Sequence, residues 1–263
     1  MYIVADIGGT NMRVAAASAD SLGEIKKVPT PRDPLEGIAK FVELARECAR
    51  GEKITAVTGC VAGSVSNSGE ISEARNLRAW EGMNIVQKLS EVFGVSVRMV
   101  NDAALAGLGE AYAGAGRGAT ALAYVTVSTG VGGGWIVDGR IAAAGGVASI
   151  KVNGTDLEDI VSGTAVTKKF GIHPKDLDSV EERNKLADIL AEGLRVVTER
   201  WSPDTIVLGG SMIVGVNPIP ISRVQESLNK LLAMYPRPPF IKMAELGDNG
   251  GLWGGLALLK QRI

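Results

Sequence analysis

Short apolar runs rich in Val, Ile and Ala recur along the chain, and between many of them apolar residues repeat every three to four positions. The first pattern is typical of β-strands and the second of amphipathic helices. Strands are predicted at about 2–7, 12–18, 54–61, 96–100, 120–127, 134–137 and 204–208. Helices are predicted over 34–50, 84–93, 103–112, 182–200 and 221–234, and a small-residue apolar helix over 251–259. This mixture predicts an α/β fold.

Two glycine-rich loops each follow a strand-like run, at Asp6–Arg13 and at Ser128–Gly134. The first lies between two extended segments, so it is predicted to be a hairpin and not the strand–helix turn of a dinucleotide-binding fold. It also lacks the Gly-Lys-Ser/Thr ending of a P-loop. From the residues alone, each loop is either a phosphate-binding loop or a plain glycine hairpin.

The first loop carries residue types that suit phosphate handling. Gly8 and Gly9 permit backbone conformations closed to other residues, so that successive N–H groups can converge on an anion. Thr10 adds a hydroxyl donor beside Asn11. The Asp6 carboxylate cannot bind phosphate directly, so it is expected to act through Mg²⁺ and the water molecules of that ion.

Two further strand ends carry candidate residues. Asn101-Asp102 follows a short strand and precedes a predicted helix. The Asp102 carboxylate is either a base that accepts a proton from a substrate hydroxyl or a helix cap. Gly209-Gly210 follows the run Ile206–Leu208, where it either lets an adenine ring lie flat on the backbone or forms a tight turn.

Composition narrows the class of protein. Lys plus Arg number 28 and Asp plus Glu number 29, so the basic excess of a nucleic-acid binder is missing and no nucleic-acid partner is expected. No apolar run is long enough to span a bilayer, and no cleavable leader precedes the first strand, so a cytoplasmic protein without a membrane partner is expected. Cys48 and Cys60 are interpreted as buried small apolar residues.

Taken together, the ordered motifs resemble the ROK family of sugar kinases and repressors, within the actin, hexokinase and Hsp70 superfamily. The resemblance spans almost the whole chain. The motifs that carry it lie at 6–10, 59–65, 75–80, 100–103, 128–134, 138–140, 157–164, 207–211 and 248–252.

The resemblance implies a two-lobed actin-like ATPase (ribonuclease H-like) fold with ATP and sugar in an interlobe cleft. One lobe would comprise residues 1–101 plus about 250–263, and the other residues 102–249. Asp102 would be the catalytic base. The residues expected at ATP are Asp6, Gly8, Gly9, Thr10, Asn11, Thr129, Gly130, Gly209 and Gly210. Those expected at the sugar are Gly63, Asn76, Asn101, Asp102 and Glu158.

The chain departs from the family pattern after the second glycine loop. Relatives usually carry a Glu and a His there that hold sugar hydroxyls, and Ser149 and Val152 are interpreted as their replacements. Relatives also carry a His and a cysteine-rich loop that bind zinc, whereas residues 153–156 contain no cysteine. No zinc site is therefore expected, and the acceptor sugar is left open.

The expected function is ATP-dependent phosphorylation of a hexose such as glucose, at the 6-hydroxyl that most relatives use, with Mg²⁺ as cofactor. A kinase for fructose, an N-acetylated amino sugar or a polyol has the same mechanism. A non-catalytic sensor of sugar or nucleotide is a further alternative. A repressor would need a DNA-binding domain before Asp6, and with Asp6 five residues after Met1 a repressor is not expected. Relatives commonly form dimers, so a homodimer is expected.

Overall fold

The computed structural model describes residues 1–261, so Arg262 and Ile263, the end of the expected C-terminal segment, lie outside the described residues. The strands are β1 (Tyr2–Ile7), β2 (Asn11–Ala17), β3 (Leu22–Pro29), β4 (Ala56–Val61), β5 (Ser64–Val65), β6 (Ile71–Ser72), β7 (Ser96–Asn101), β8 (Ala121–Val127), β9 (Val131–Val137), β10 (Arg140–Ala144), β11 (Lys151–Val152), β12 (Thr155–Asp156), β13 (Thr205–Gly209) and β14 (Phe240–Met243). The α-helices are α1 (Pro34–Ala49), α2 (Ile85–Phe93), α3 (Asp102–Ala113), α4 (Glu158–Val161), α5 (Gly163–Phe170), α6 (Val180–Trp201), α7 (Ser211–Val214), α8 (Ile221–Leu231) and α9 (Gly250–Leu259).

The chain forms two compact units. The first comprises Met1–Tyr112 and the C-terminal segment that begins at Asp248, and the second comprises Ala113–Gly247. The expected division after residue 101 would place α3 in the second unit, whereas the structure packs α3 in the first. Glycines allow this packing, because a Cβ added to Gly254 of α9 would lie 1.9 Å from the backbone oxygen of Leu105.

The main sheet of the first unit has the strand order β3-β2-β1-β4-β7. β1 pairs antiparallel with β2 and parallel with β4, and β4 pairs parallel with β7. The register aligns Ile7 with Val61 and Val61 with Asn101. The carboxyl ends of these three strands therefore meet at one edge of the sheet, where ligands bind in open α/β sheets.

The second unit repeats this arrangement with the order β10-β9-β8-β13-β14. β8 pairs antiparallel with β9 and parallel with β13, and β13 pairs parallel with β14. The two glycine loops hold equivalent places, because each joins the central strand of its sheet to the antiparallel neighbour. The hairpin predicted for the first loop is confirmed.

Helix boundaries follow local chemistry, as α1 illustrates. The Asp33 side chain accepts hydrogen bonds from the N–H groups of Leu35 and Glu36, and Pro34 occupies the first helical turn. The helix ends at Ala49, and the capping residue Arg50 adopts a left-handed conformation. The predicted apolar face is buried, with Phe41 fully inaccessible to solvent. The predicted helix over 34–50 is therefore confirmed to within a residue.

Three strands of the two main sheets were missing from the sequence prediction: β3, β10 and β14. All three lie at a sheet edge. An edge strand has one unpaired side and tolerates charged residues, so its pattern of apolar positions is weak. In β3, for example, Lys26 and Lys27 interrupt the apolar run.

No helix in the described part of the chain combines the length and the apolar composition that a membrane span requires.

Candidate functional site

The first glycine loop is a tight turn between β1 and β2. The Gly8 N–H donates to the backbone oxygen of Asn11 across 2.9 Å, so this N–H is used within the turn. The N–H groups of Gly9 and Thr10 are not engaged by that bond, and Thr10 is exposed. A Cβ added to Gly9 would lie 2.4 Å from the Cβ of Asn76, so only glycine fits there. The loop therefore offers exposed backbone that a phosphate can approach.

Asp6 lies at the end of β1, directly beside residues of two neighbouring strands. Its register partners are Arg13 on β2 and Cys60 on β4. Arg13 Nη1 donates to Asp6 Oδ2 across 3.2 Å, and the Cys60 thiol donates to Asp6 Oδ1 across 3.3 Å. Burial raises the pKa of the Asp6 carboxyl, and the Arg13 charge opposes that shift. With both oxygens engaged, Asp6 suits contact with a metal through water better than direct ligation.

Arg13 and Cys60 were not predicted as functional residues. The hairpin itself contained a signal for Arg13, because a turn closed by Gly8 and Asn11 places residues 6 and 13 opposite each other. Nothing in the sequence indicated the bond from Cys60, since the pairing of β1 with β4 joins residues 54 positions apart. Cys60 is buried as predicted, and burial raises the pKa of its thiol well above the ordinary value.

Asn101 and Asp102 lie where β7 passes into α3. The Asn101 side chain accepts from the N–H of Ala104 across 3.0 Å, so Asn101 caps the helix. Asp102 Oδ1 accepts from the N–H of Ala103 across 2.8 Å and from Asn101 Nδ2 across 3.1 Å. Both of these bonds use Oδ1 and neither uses Oδ2, so Oδ2 is the oxygen that suits acceptance of a proton. Capping is thus the role of Asn101.

The environment of Asp102 suits a proton acceptor. Burial raises the pKa of its carboxyl from 3.8 to about 6, and the nearby Asp6 charge raises it further, while the hydrogen bond from Ala103 opposes the shift. A carboxylate with a pKa near the working pH combines the correct ionised form with an appreciable affinity for the proton. Asp102 is thus a buried carboxylate, held by hydrogen bonds, whose raised pKa suits it to accept a proton.

Gly63 lies at the same sheet edge, two residues after the end of β4. Its backbone oxygen accepts from Asn101 Nδ2 across 2.9 Å, and its φ of 136° is accessible mainly to glycine. Asn76 is exposed and packs against Gly9. The first unit thus brings the loop 8–11 together with Asp6, Gly63, Asn76, Asn101 and Asp102.

The second unit groups three other predicted residues around its glycine loop. Glu158 Oε2 accepts from the N–H of Val131 across 2.8 Å, and a Cβ added to Gly130 would lie 2.6 Å from the same oxygen. The backbone oxygen of Thr129 accepts from the hydroxyl of Thr164 across 2.7 Å. Glu158 therefore supports the loop as well as lying beside it.

Gly209 and Gly210 form the turn after β13. A Cβ added to Gly209 would lie 2.5 Å from the Tyr124 hydroxyl. Gly210 has a φ of 87°, and its added Cβ would lie 2.3 Å from the backbone oxygen of Val127. The turn lies beside the glycine loop, since the hydroxyls of Ser128 and Ser211 are 3.0 Å apart. Backbone packing and the positive φ require glycine at Gly210, and the Tyr124 hydroxyl leaves little space for a side chain at Gly209.

The two family departures have different surroundings. Ser149 is exposed. Val152 is only 5% exposed and belongs to the hydrophobic core of the second unit. The interpretation of Ser149 and Val152 as replacements for the Glu and the His stays a prediction. Across residues 1–261, no group of three or more His, Cys, Asp or Glu side chains is placed to hold a metal ion.

Comparison with known proteins places these features in a family context. The profile described as the ROK family matches residues 2–149 and 153–262. The glucokinase of Thermotoga maritima is 26% identical, over 98% of this chain and 96% of the relative.

Solved structures show the same fold. The ROK hexokinase from Thermus thermophilus matches with a TM-score of 0.86 at 24% identity, over 99% of each chain. A ROK family glucokinase from Streptomyces griseus, in complex with glucose and AMPPNP, matches with a TM-score of 0.79 at 22% identity, also over 99% of each chain. These matches confirm the expected α/β, actin-like ATPase fold.

Proposed function

The chain belongs to the ROK family, and from this premise we propose that it is an ATP-dependent sugar kinase. The proposed reaction transfers the γ-phosphoryl group of ATP to a hydroxyl of a sugar. Phosphoryl transfer needs little covalent chemistry from a protein, so catalysis rests on positioning and on stabilisation of charge.

The observation that carries the proposal is the state of Asp102. Its Oδ1 is held by two hydrogen bonds that leave Oδ2 out, and its pKa is raised to about 6. In the proposed reaction Oδ2 accepts the proton of the sugar hydroxyl as the bond from oxygen to phosphorus forms. Near neutral pH the carboxylate is mostly ionised and can act as this base.

Nucleotide binding is assigned to glycine-rich backbone in each unit. The loop 8–11 and the pair Thr129-Gly130 are proposed to donate N–H groups to the phosphates, because glycine lets the backbone approach an anion closely. The Gly209-Gly210 turn is proposed to lie against adenosine. The AMPPNP complex of the Streptomyces griseus relative supports ATP as the donor.

Asp6 fits a magnesium ion held mainly by the phosphates. Both Asp6 oxygens have protein partners, Arg13 and Cys60, so the carboxylate would face the hydration shell of the ion and not the ion itself. Bound Mg²⁺ would neutralise charge on the phosphates. Asp6 would orient water molecules of that shell, and Arg13 would hold the Asp6 carboxylate in place.

The acceptor is proposed to be a hexose such as glucose, phosphorylated at the 6-hydroxyl. Gly63, Asn76, Asn101 and Glu158 are the proposed contacts besides Asp102. Fructose or an N-acetylated amino sugar would use the same mechanism. A site built to pair with hydroxyls discriminates strongly against sugars that lack one, so the acceptor has to be measured.

The test is ADP release from Mg-ATP with glucose, mannose, fructose, galactose, N-acetylglucosamine, N-acetylmannosamine or water alone. A strong signal with one sugar supports the kinase and identifies the acceptor. ADP release equal to the water control for every sugar contradicts the kinase proposal for these acceptors. Nucleotide binding measured by calorimetry then distinguishes a sensor from a protein that binds no ATP. The homodimer and the cytoplasmic location stay predictions.

A further inference from the structure

The segment 73–81, here called the acceptor segment, carries Asn76 between β6 and α2. Every third residue of this segment is buried: Ala74 at 1%, Leu77 at 5% and Trp80 at 0% exposure. The residues between them, including Asn76, are exposed. The segment is also closed on itself, because Glu81 Oε1 accepts from the N–H of Ala74 across 2.7 Å. It is therefore a compact loop with one buried face and one face directed to solvent.

Trp80 connects this loop to α1 and to the segment just before that helix. Its indole Nε1 donates to the backbone oxygen of Pro31 across 3.2 Å. A Cβ added to Gly37 of α1 would lie 2.1 Å from Trp80 Cζ2 and 2.5 Å from Cη2. Contacts below 3 Å are excluded between packed carbon atoms, so Gly37 is the residue that makes room for the indole.

The opposite face of the acceptor segment touches the first glycine loop. The Cβ of Asn76 would lie 2.4 Å from a Cβ added to Gly9. Asn76 is four residues from Trp80. The Leu77 N–H donates to the Ala74 oxygen and the Trp80 N–H donates to the Leu77 oxygen, so hydrogen-bonded turns connect the two residues. We therefore expect a displacement of Trp80 to shift Asn76 as well.

We propose that Trp80, seated on Gly37, is a positioning residue for the sugar acceptor. It acts through Asn76 and touches no substrate itself. The inference rests on the proposed function, because Asn76 is assigned to the sugar there. Packed interiors transmit small displacements, and a shift of about 1 Å in a positioning group costs up to about 100-fold in rate.

Gly37→Ala tests the inference. Alanine favours the helix, so α1 is retained while the added methyl displaces the indole. We expect the KM for the acceptor to rise about tenfold or more, and by clearly more than the KM for ATP, because Asn76 is assigned to the acceptor and contacts the ATP loop only at Gly9. Gly23→Ala in β3 is the matched control, since its added Cβ approaches no atom closer than 3.4 Å, and both KM values should stay unchanged.

A double variant separates positioning from general damage. Phenylalanine lacks the Cζ2 and Cη2 positions of the indole, so Trp80→Phe makes room for the methyl of Gly37→Ala. The double variant should have a lower KM for the acceptor than Gly37→Ala alone, although Trp80→Phe by itself raises that KM through loss of the bond to Pro31. Such non-additivity is expected only of residues in contact.

The KM values of the three variants support or overturn the inference. Selective weakening of acceptor binding, restored in the double variant, supports it. An unchanged acceptor KM in folded Gly37→Ala, or an equal rise in both KM values, overturns it. If thermal unfolding shows that Gly37→Ala is not folded, Trp80→Phe is measured alone, and an unchanged acceptor KM overturns the inference. Absence of sugar-dependent ADP release in the unmodified protein instead overturns the proposed function, and the inference with it.

Discussion

Replacing Asp102 with asparagine is expected to stabilise the fold while removing phosphoryl transfer. Asparagine has the same shape, and its Oδ1 can still accept from Ala103 and Asn101. The carboxylate carries a penalty that the amide lacks, because burial raises the pKa of Asp102 from 3.8 to about 6. A change of one in pKa corresponds to about 1.4 kcal/mol, so the ionised carboxylate costs the folded state about 3 kcal/mol.

The sign of the pH dependence follows from linkage. A carboxyl whose pKa is raised by folding destabilises the folded state where it is ionised, above pH 6, and this penalty disappears as the pH falls below 3.8. Asp102→Asn should therefore raise the free energy of unfolding by about 3 kcal/mol at pH 8 and by less than about 1 kcal/mol at pH 4. Urea unfolding followed by circular dichroism at the two pH values measures both quantities.

Activity provides the second half of this prediction. Loss of a general base lowers turnover by about 10²- to 10⁴-fold. A variant that is equally stable at pH 4 and pH 8 relative to the unmodified protein would refute the raised pKa. A variant that is stabilised as expected but keeps near-normal turnover would refute the role of Asp102 as base and leave the electrostatic argument intact.

Three other predictions concern Asp102, the turn at Gly210 and the Glu158 side chain. In the unmodified protein, kcat/KM should rise with pH through a midpoint of about 6 as Asp102 ionises, and a flat profile between pH 5 and 7 would contradict this. Gly210→Ala should lower the free energy of unfolding by at least about 2 kcal/mol, because the methyl group clashes with backbone and the φ is unfavourable for alanine. Gly139→Ala is the control: its φ of 69° is also unfavourable but its methyl group meets no atom, so the free energy of unfolding should fall by about 1 kcal/mol. Glu158→Ala should lower the melting temperature more than Glu158→Gln, since glutamine can still accept from Val131, and equal melting temperatures would argue against that bond.

Glu158 and Asp102 illustrate how far sequence reasoning reached. Both were assigned through the family resemblance, and their contacts with the sugar stay predictions. Their protein contacts came from the structure: Glu158 binds the N–H of Val131, and Asp102 leaves helix capping to Asn101. For Val152, interpreted from the sequence as the replacement of a sugar-binding His, the structure adds that the side chain is buried in the core.

The sequence by itself determined the alternation of strands and helices, the hairpin of the first glycine loop and the chemistry available at each strand end. These properties are local: apolar periodicity and glycine act over a few residues. Edge strands such as β3 escaped prediction, since their exposed sides carry charge.

Only the tertiary structure decided which residues meet. The parallel register of β1, β4 and β7 brings Asp6, Cys60 and Asp102 to one sheet edge, although about a hundred residues separate the first from the last. The contact of Gly37 with Trp80 likewise joins two segments with no local signal in common. The register of parallel strands and the position of a helix on its neighbours depend on packing between segments that are distant in sequence. That packing is a property of the whole fold.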